Sequence, residues 1–402
     1  MNRMDTTRTD RKAEKRSAFR RICPPSSKPA GGFSLVEIMV GMVIGLLGII
    51  IMLQMLSVSE NQKRNTSGGD DAQNAGAIAL YGLQRDIRLS GYGISAQGLM
   101  GCNVQLRAGV TLNAIAPVTI NHASIPAAAH DANTDTVLMV YGNANGPGEG
   151  DGITAQPNPA SAPAVYPTVY TVQTPPSYSY ISATARDYLI AQYGVRQTPC
   201  SLSMDTLTAA PNGNNVIVAS GVASIMTTNN ANGLSPSLYN LGQSPRIMVY
   251  AVRNSNLTVC DYMVNDCGSA ANATINTANQ AIWVPIAGNI VSLRAQYGRD
   301  TLTAPIAVLP SQPPYLYYKV DTYDQTTPTT ACGFVRVSTV RIALVAQGSS
   351  GASTTAAPVW AGSATNPINL GALTGWQNYR YKVFQTVAPI RNITMQGVVA
   401  GC

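Results

Sequence analysis

An α+β fold is predicted, with one long N-terminal helix packed on an antiparallel β-sheet that carries long loops. Three observations lead to it. Residues 33–56 read FSLVEIMVGMVIGLLGIIIMLQML, with no polar side chain from Ile38 to Leu53; roughly 20 apolar residues let a helix span a bilayer core. Downstream, Gly76, Leu80, Leu83 and Ile87 fall at i, i+4, i+7 and i+11, the spacing of one helical face. After Cys102, β-branched runs alternate with Gly, Pro and Asn, the pattern of short strands and turns. The predicted organisation is a basic leader at 1–32, a transmembrane helix half at 33–58, an amphipathic half at 59–92 and an exported, disulfide-bonded β-rich domain at 93–402. A Pro-rich loop insertion occupies 146–176.

The 402 residues carry a formal charge of +7, and only 11% of them are charged. Residues 1–32 hold nine Lys and Arg against Asp5, Asp10 and Glu14, a net of +6, which leaves +1 from Phe33 onward. The basic character belongs to the leader. A body so near neutrality does not attract nucleic acid through a global positive field. The leader also holds Cys23, one of seven cysteines; six remain without it, Cys102, Cys200, Cys260, Cys267, Cys332 and Cys402. Six thiols in a sparsely charged chain indicate up to three disulfides and an oxidising compartment. There is no CxxC pair, and His122 and His130 are remote in sequence from every cysteine, so neither a metal nor a cofactor is expected.

The flanks of the apolar run set its orientation. Nine basic residues precede it and only Lys63 and Arg64 follow closely, so the N-terminus is expected to stay cytoplasmic and the bulk to be exported. The small residues Ala30-Gly31-Gly32 come before the run instead of after it, which does not fit an ordinary secretory signal. Glu37 lies four residues inside the run. A carboxylate there costs roughly 2.5–3.5 kcal/mol on insertion scales and calls for a function.

Gly32-Phe33-Ser34-Leu35-Val36-Glu37, behind a basic leader and ahead of an apolar helix, resembles the class III signal of type IV pilins and type II secretion pseudopilins. The resemblance implies that prepilin peptidase cuts between Gly32 and Phe33, removes residues 1–32 and N-methylates Phe33. It also implies a role for Glu37. Pairing with the Phe33 amine of a neighbouring subunit would neutralise both charges in a low-dielectric setting and set the axial register.

Residues 76–102, GAIALYGLQRDIRLSGYGISAQGLMGC, narrow the family. Through Arg85-Asp86-Ile87-Arg88, Gly91-Tyr92 and Gly101-Cys102 they resemble PilW-type minor pilins. Three later blocks resemble that family in the same order. They are Ile290–Leu293 with Gln296-Tyr297-Gly298-Arg299-Asp300, then Val335-Arg336-Val337 with Val340–Leu344, then Tyr379-Arg380 with Val383-Phe384 and Ile390-Arg391-Asn392. The implied fold is the type IV pilin-like ladle, in which the long helix lies on one antiparallel sheet. The implied function is that of a minor pilin that helps initiate type IV pili and is incorporated into them, serving twitching motility or adhesion. Implied partners are prepilin peptidase, the other minor pilins, the major pilin, the inner membrane and a tip adhesin. The protein is expected in the inner membrane with its C-terminal domain in the periplasm, then in the pilus fibre at the cell surface.

The helix is expected from Phe33 to about Ser90, loosened or kinked at Gly68-Gly69 and ended by Gly91 and Gly93. Arg85, Asp86 and Arg88 read as a solvated face or a local ion pair. Strands are expected at Val137–Tyr141, Ile247–Val252, Ile290–Tyr297, Val335–Ala346 and Tyr379–Val387. Cys260 and Cys267, seven apart with Asn265, Asp266 and Gly268 as turn residues, are expected to pair. Cys402, as the last residue, is assigned to Cys332, which leaves Cys102 with Cys200. Six cysteines allow 15 connectivities, so other arrangements stay open.

Glu149-Gly150-Asp151-Gly152 lacks the spaced ligands and closing Glu of a calcium loop and reads as a solvated turn. No nucleophile-elbow, metalloprotease or phosphate-loop motif stands out. Two histidines in Ala- and Asn-rich sequence do not suggest acid–base catalysis, so no enzyme is expected. Two other readings remain. A type II secretion pseudopilin shares the leader and helix. A membrane-anchored surface domain that binds or reacts without polymerising would have no use for Gly32 and Glu37.

Overall fold

The computed structural model describes residues 32–145, 148–158, 168–219, 236–268, 281–301, 320–350 and 356–393. The leader up to Gly31, residues 159–167 of the Pro-rich stretch and Cys402 lie outside them. The chain divides into two compact units, Met1–Asn61 and Gln62–Cys402.

Helix α1 spans Leu35–Leu89. It runs on through Gly68-Gly69. Each Gly costs about 1 kcal/mol against Ala, but packing of the turns that follow outweighs propensity: Ala72, Ala79, Leu83 and Ile87 are buried. Within the first unit every large apolar side chain from Leu35 to Val58 is exposed. An 18-residue window of α1 reaches a mean hydropathy of 2.6 with none of it buried in the molecule, so the helix is long and apolar enough to cross a membrane. The helix ends where Gly91 takes a φ of 91°, a left-handed conformation that suits glycine.

The second unit is mostly β. Strands β1 (Asn103–Arg107), β2 (Val110–Leu112), β3 (Val118–Ile120) and β4 (Val137–Tyr141) come first. Then follow β5 (Asp151–Asn158), β6 (Thr168–Val172), β7 (Tyr180–Ser182), β8 (Ala185–Arg186), β9 (Tyr188–Gln192), β10 (Ser201–Thr206), β11 (Asn215–Val218) and β12 (Ser237–Gly242). The remainder holds β13 (Arg246–Arg253), β14 (Asn256–Asp261), β15 (Val284–Gly288), β16 (Ile290–Arg299), β17 (Thr322–Asp324), the short helix α2 (Ala331–Val335), β18 (Val337–Ser350) and β19 (Tyr379–Pro389).

These strands overturn the single-sheet ladle. Among the described residues they form an eight-stranded sheet in the order β11-β6-β5-β12-β9-β10-β1-β2, a five-stranded sheet β15-β14-β13-β4-β3, a four-stranded sheet β17-β16-β18-β19 and the pair β7-β8. The physical reason is visible in the five-stranded sheet, which is apolar on both faces. Val137, Met139, Tyr250 and Val252 join α1 and the four-stranded sheet in one core. Their alternates Leu138, Val140, Ile247, Val249 and Ala251 join Val104, Leu202, Met204 and Leu241 of the eight-stranded sheet in a second. Successive side chains point to opposite faces of a strand, so a sheet under one helix needs a further layer on its other side. The β1–β10 pair is parallel, with Asn103 opposite Ser201. A parallel pair needs a long connection, and the Cys102–Cys200 disulfide holds both strands one residue before that register.

α1 meets β19 closely. A Cβ on Gly76 would lie 2.3–2.4 Å from ring carbons of Phe384, so only glycine lets the ring lie on the helix. Gly76→Leu is expected to destabilise the second unit by about 1–3 kcal/mol through overpacking. Thermal unfolding of the full chain reads this, and an unchanged midpoint would remove the contact's importance.

Candidate functional site

The residues expected to govern processing and assembly sit at the start of the first unit. Gly32, Phe33 and Ser34 precede α1, and Glu37 occupies its first turn with the Glu37 N–H on the Ser34 carbonyl at 2.9 Å. Phe33 is 78% exposed and Leu35 74%. Glu37 is exposed with its apolar neighbours, so any medium that covers this helix face also takes in the carboxylate.

At the other end of α1 the Arg85, Asp86, Arg88 cluster separates into different roles. Arg85 Nε lies 2.9 Å from Asp86, and its side chain is exposed. Asp86 itself is buried and accepts the Tyr250 hydroxyl at 2.5 Å. Burial first, then the Asp86 charge, pushes the Tyr250 phenol well above its ordinary pKa. Burial and Asp86 together raise that of Tyr141 to about 12. Both phenols therefore stay protonated and Tyr250 donates. The local ion pair exists, but its acidic half clasps the helix to β13 and is not part of a solvated face.

Asn392 completes this end. Its amide donates to the Leu89 carbonyl at 2.8 Å and to the Ser90 carbonyl at 3.1 Å, satisfying acceptors that a helix C-terminus leaves open. Two blocks some 300 residues apart in sequence, Arg85–Tyr92 and Ile390–Asn392, thus meet in space.

Sequence reasoning misses Asp135, a buried carboxylate with several hydrogen-bond partners. It is 3% exposed. Oδ1 accepts from Asn121 at 3.1 Å and lies 3.5 Å from the buried Arg294 guanidinium. Oδ2 accepts the Ala295 N–H at 3.0 Å and the amides of Gln325 and Asn366 at 2.8 Å each. One side chain thereby joins the β3–β4 connection, β16 and two later loops. Nothing within DANTDT, at 131–136, marks it, because its partners are all remote in sequence.

The described cysteines and His122 are structural in their contacts. Disulfides join Cys102 to Cys200 and Cys260 to Cys267. The assignment of Cys332 to Cys402 falls on a residue outside the described ones; Cys332 itself is disulfide-bonded. His122 is buried, with Nδ1 accepting the Ser124 N–H at 3.1 Å and Nε2 on the Asn113 carbonyl at 2.5 Å. Burial lowers its pKa, so the neutral ring acts as a loop bracket. Asp151 accepts from the Tyr178 hydroxyl, which places it in a side-chain contact within the domain. Among the described residues no group of three or more His, Cys, Asp and Glu side chains could hold a metal ion.

An apolar helix able to anchor in a membrane, joined in sequence to a disulfide-bonded β domain, fits a protein of the cell envelope. Residues 249–392 match the family model for Type IV Pilus-assembly protein W. The match runs from β13 to Asn392, and it supports a type IV pilus-related protein that interacts with other pilus components. No curated protein and no solved structure matches the chain.

Proposed function

We propose that this pilus-related protein is a minor pilin, a non-catalytic subunit that helps initiate type IV pili and enters the fibre. The observation that carries the reading is the exposed apolar half of α1, interrupted by one carboxylate at Glu37 and followed in the chain by a domain matched to a pilus-assembly family. Prepilin peptidase cuts after Gly32 and methylates Phe33. The freed amine of Phe33 pairs with Glu37 of a neighbouring subunit, and the apolar face packs first in the inner membrane and then among other subunits. The β domain, stapled by disulfides, presents the contact surface on the periplasmic side and later at the cell surface. Its contacts are with other minor pilins, the major pilin and a tip adhesin.

Mass spectrometry of the protein from its native membrane tests this directly. The expected mature N-terminus is methylated Phe33, and Gly32→Trp is expected to leave the precursor uncut in the membrane. Mature protein of normal mass from Gly32→Trp would end the processing scheme. Deletion of the chain is expected to reduce surface pili and twitching while the major pilin stays in the membrane. Normal pili together with a secretion substrate retained in the periplasm would mark a type II secretion pseudopilin instead.

A further inference from the structure

Between the end of α1 and the closing residues of the domain lies a half-open cleft of about 480 Å³, lined by Arg88, Leu89, Tyr92, Tyr141, Asn143 and Arg391 among others. Among the described residues no carboxylate lines it. Asp86, two residues before Arg88, is already engaged by Arg85 and Tyr250. Arg88 Nε is buried and meets no hydrogen-bond partner among the described residues. A guanidinium presents donors in a planar fork whose best complement is a carboxylate. The rest of the lining is largely apolar: Leu89 is 46% exposed, and the Tyr92 ring is fixed by its hydroxyl on the Ala144 carbonyl at 3.0 Å. The cleft therefore suits a carboxylate that carries an apolar neighbour.

The occupant is longer than a small anion. Ile78 is 68% exposed and Tyr81 70%; with Leu89 they fall at i, i+3 and i+11 of α1. At 3.6 residues per turn this strip lies opposite the buried stripe of Ala72, Ala79, Leu83 and Ile87. With the exposed Arg85 between Tyr81 and Leu89 on the same face, this charge-interrupted row runs along the helix towards the cleft. Uncovered apolar strips rimmed by charge mark interaction surfaces. A concave site with fixed rings suits side chains of a polypeptide, whereas a lipid surface is met by a flat or convex basic face.

We propose that the cleft and this strip dock a segment of a second protein, with an Asp or Glu side chain reaching Arg88 and Arg391 and an apolar residue beside it on Leu89. The site uses none of the residues of the Phe33–Glu37 pairing, so it goes beyond the proposed function and stands whether or not the leader is removed.

A random heptapeptide display library selected on the full chain in detergent tests it. The expected result is enrichment of peptides with an acidic residue next to Leu, Ile or Phe. Their binding should fall by at least about tenfold in Arg391→Gln and in Arg88→Gln, and also at high salt. Circular dichroism verifies folding, and the exposed Arg391 provides a variant outside the core. Enriched peptides without an acid, no enrichment, or binding unchanged by either substitution would overturn the proposal. So would tighter, arginine-dependent binding to phosphatidylglycerol vesicles than to any selected peptide.

Discussion

Asp135→Ala is expected to destabilise the second unit by about 3–5 kcal/mol, the range for removing one partner of a buried ion pair. The substitution leaves Arg294, 8% exposed, without its counter-charge. It also strips acceptors from the Ala295 N–H and from the amides of Asn121, Gln325 and Asn366. Desolvation is the dominant cost, since each buried donor left open loses about 1–3 kcal/mol and a charged one more. Urea unfolding of the full chain with its disulfides intact measures it. Trp360 is a built-in reporter, because its indole N–H bonds the Asn366 carbonyl. Asp135→Leu combined with Arg294→Met is expected to recover about 1–3 kcal/mol relative to the sum of the single changes. A loss below 1 kcal/mol for Asp135→Ala, or strict additivity in the double variant, would mean that the carboxylate is not the junction its contacts indicate.

Glu37→Gln is expected to lower incorporation into the fibre by at least an order of magnitude while leaving cleavage and membrane insertion intact. Glutamine keeps the size and hydrogen bonding of glutamate and removes only the charge. The exposed position at the start of α1 means that the carboxylate is hydrated until the apolar face is covered. Once covered, it must be paired or neutralised. On the proposed scheme the amine freed at Phe33 supplies the pairing, so removing the charge removes register without touching the apolar area that drives insertion. Immunoblots of sheared fibres against inner-membrane fractions separate the two steps. Equal amounts of variant and native protein in the fibres would rule out charge pairing as the source of register.

Legibility in the sequence follows the range of the interactions involved. α1 is legible because a helix records its environment every 3.6 residues, and its end is legible because Gly91 supplies a local backbone conformation. β4 and β13 stand out as apolar runs because both of their faces are buried. The strands of the eight-stranded sheet do not. SLSMDT, DGITAQPN and SLYNLG are polar enough to read as loop, and only their neighbours make them strands. That is why a single sheet under one helix is the natural reading of the sequence and is wrong. Glu37 is conspicuous because a charge in an apolar run is a local anomaly, whereas Asp86 looks like one charge among several until Tyr250 is placed against it.

The sequence by itself determines an apolar N-terminal helix with one carboxylate near its start, an amphipathic continuation and a cysteine-bearing β domain. These are short-range facts, carried by composition and spacing along the chain. Only the tertiary structure decides that the β domain is layered into several sheets, that Asp135 ties the five-stranded sheet to the four-stranded one, and that Asn392 closes the end of α1. Each of these joins residues more than 100 positions apart. Burial and hydrogen-bond satisfaction act on groups brought together in space, and no local pattern records them in advance.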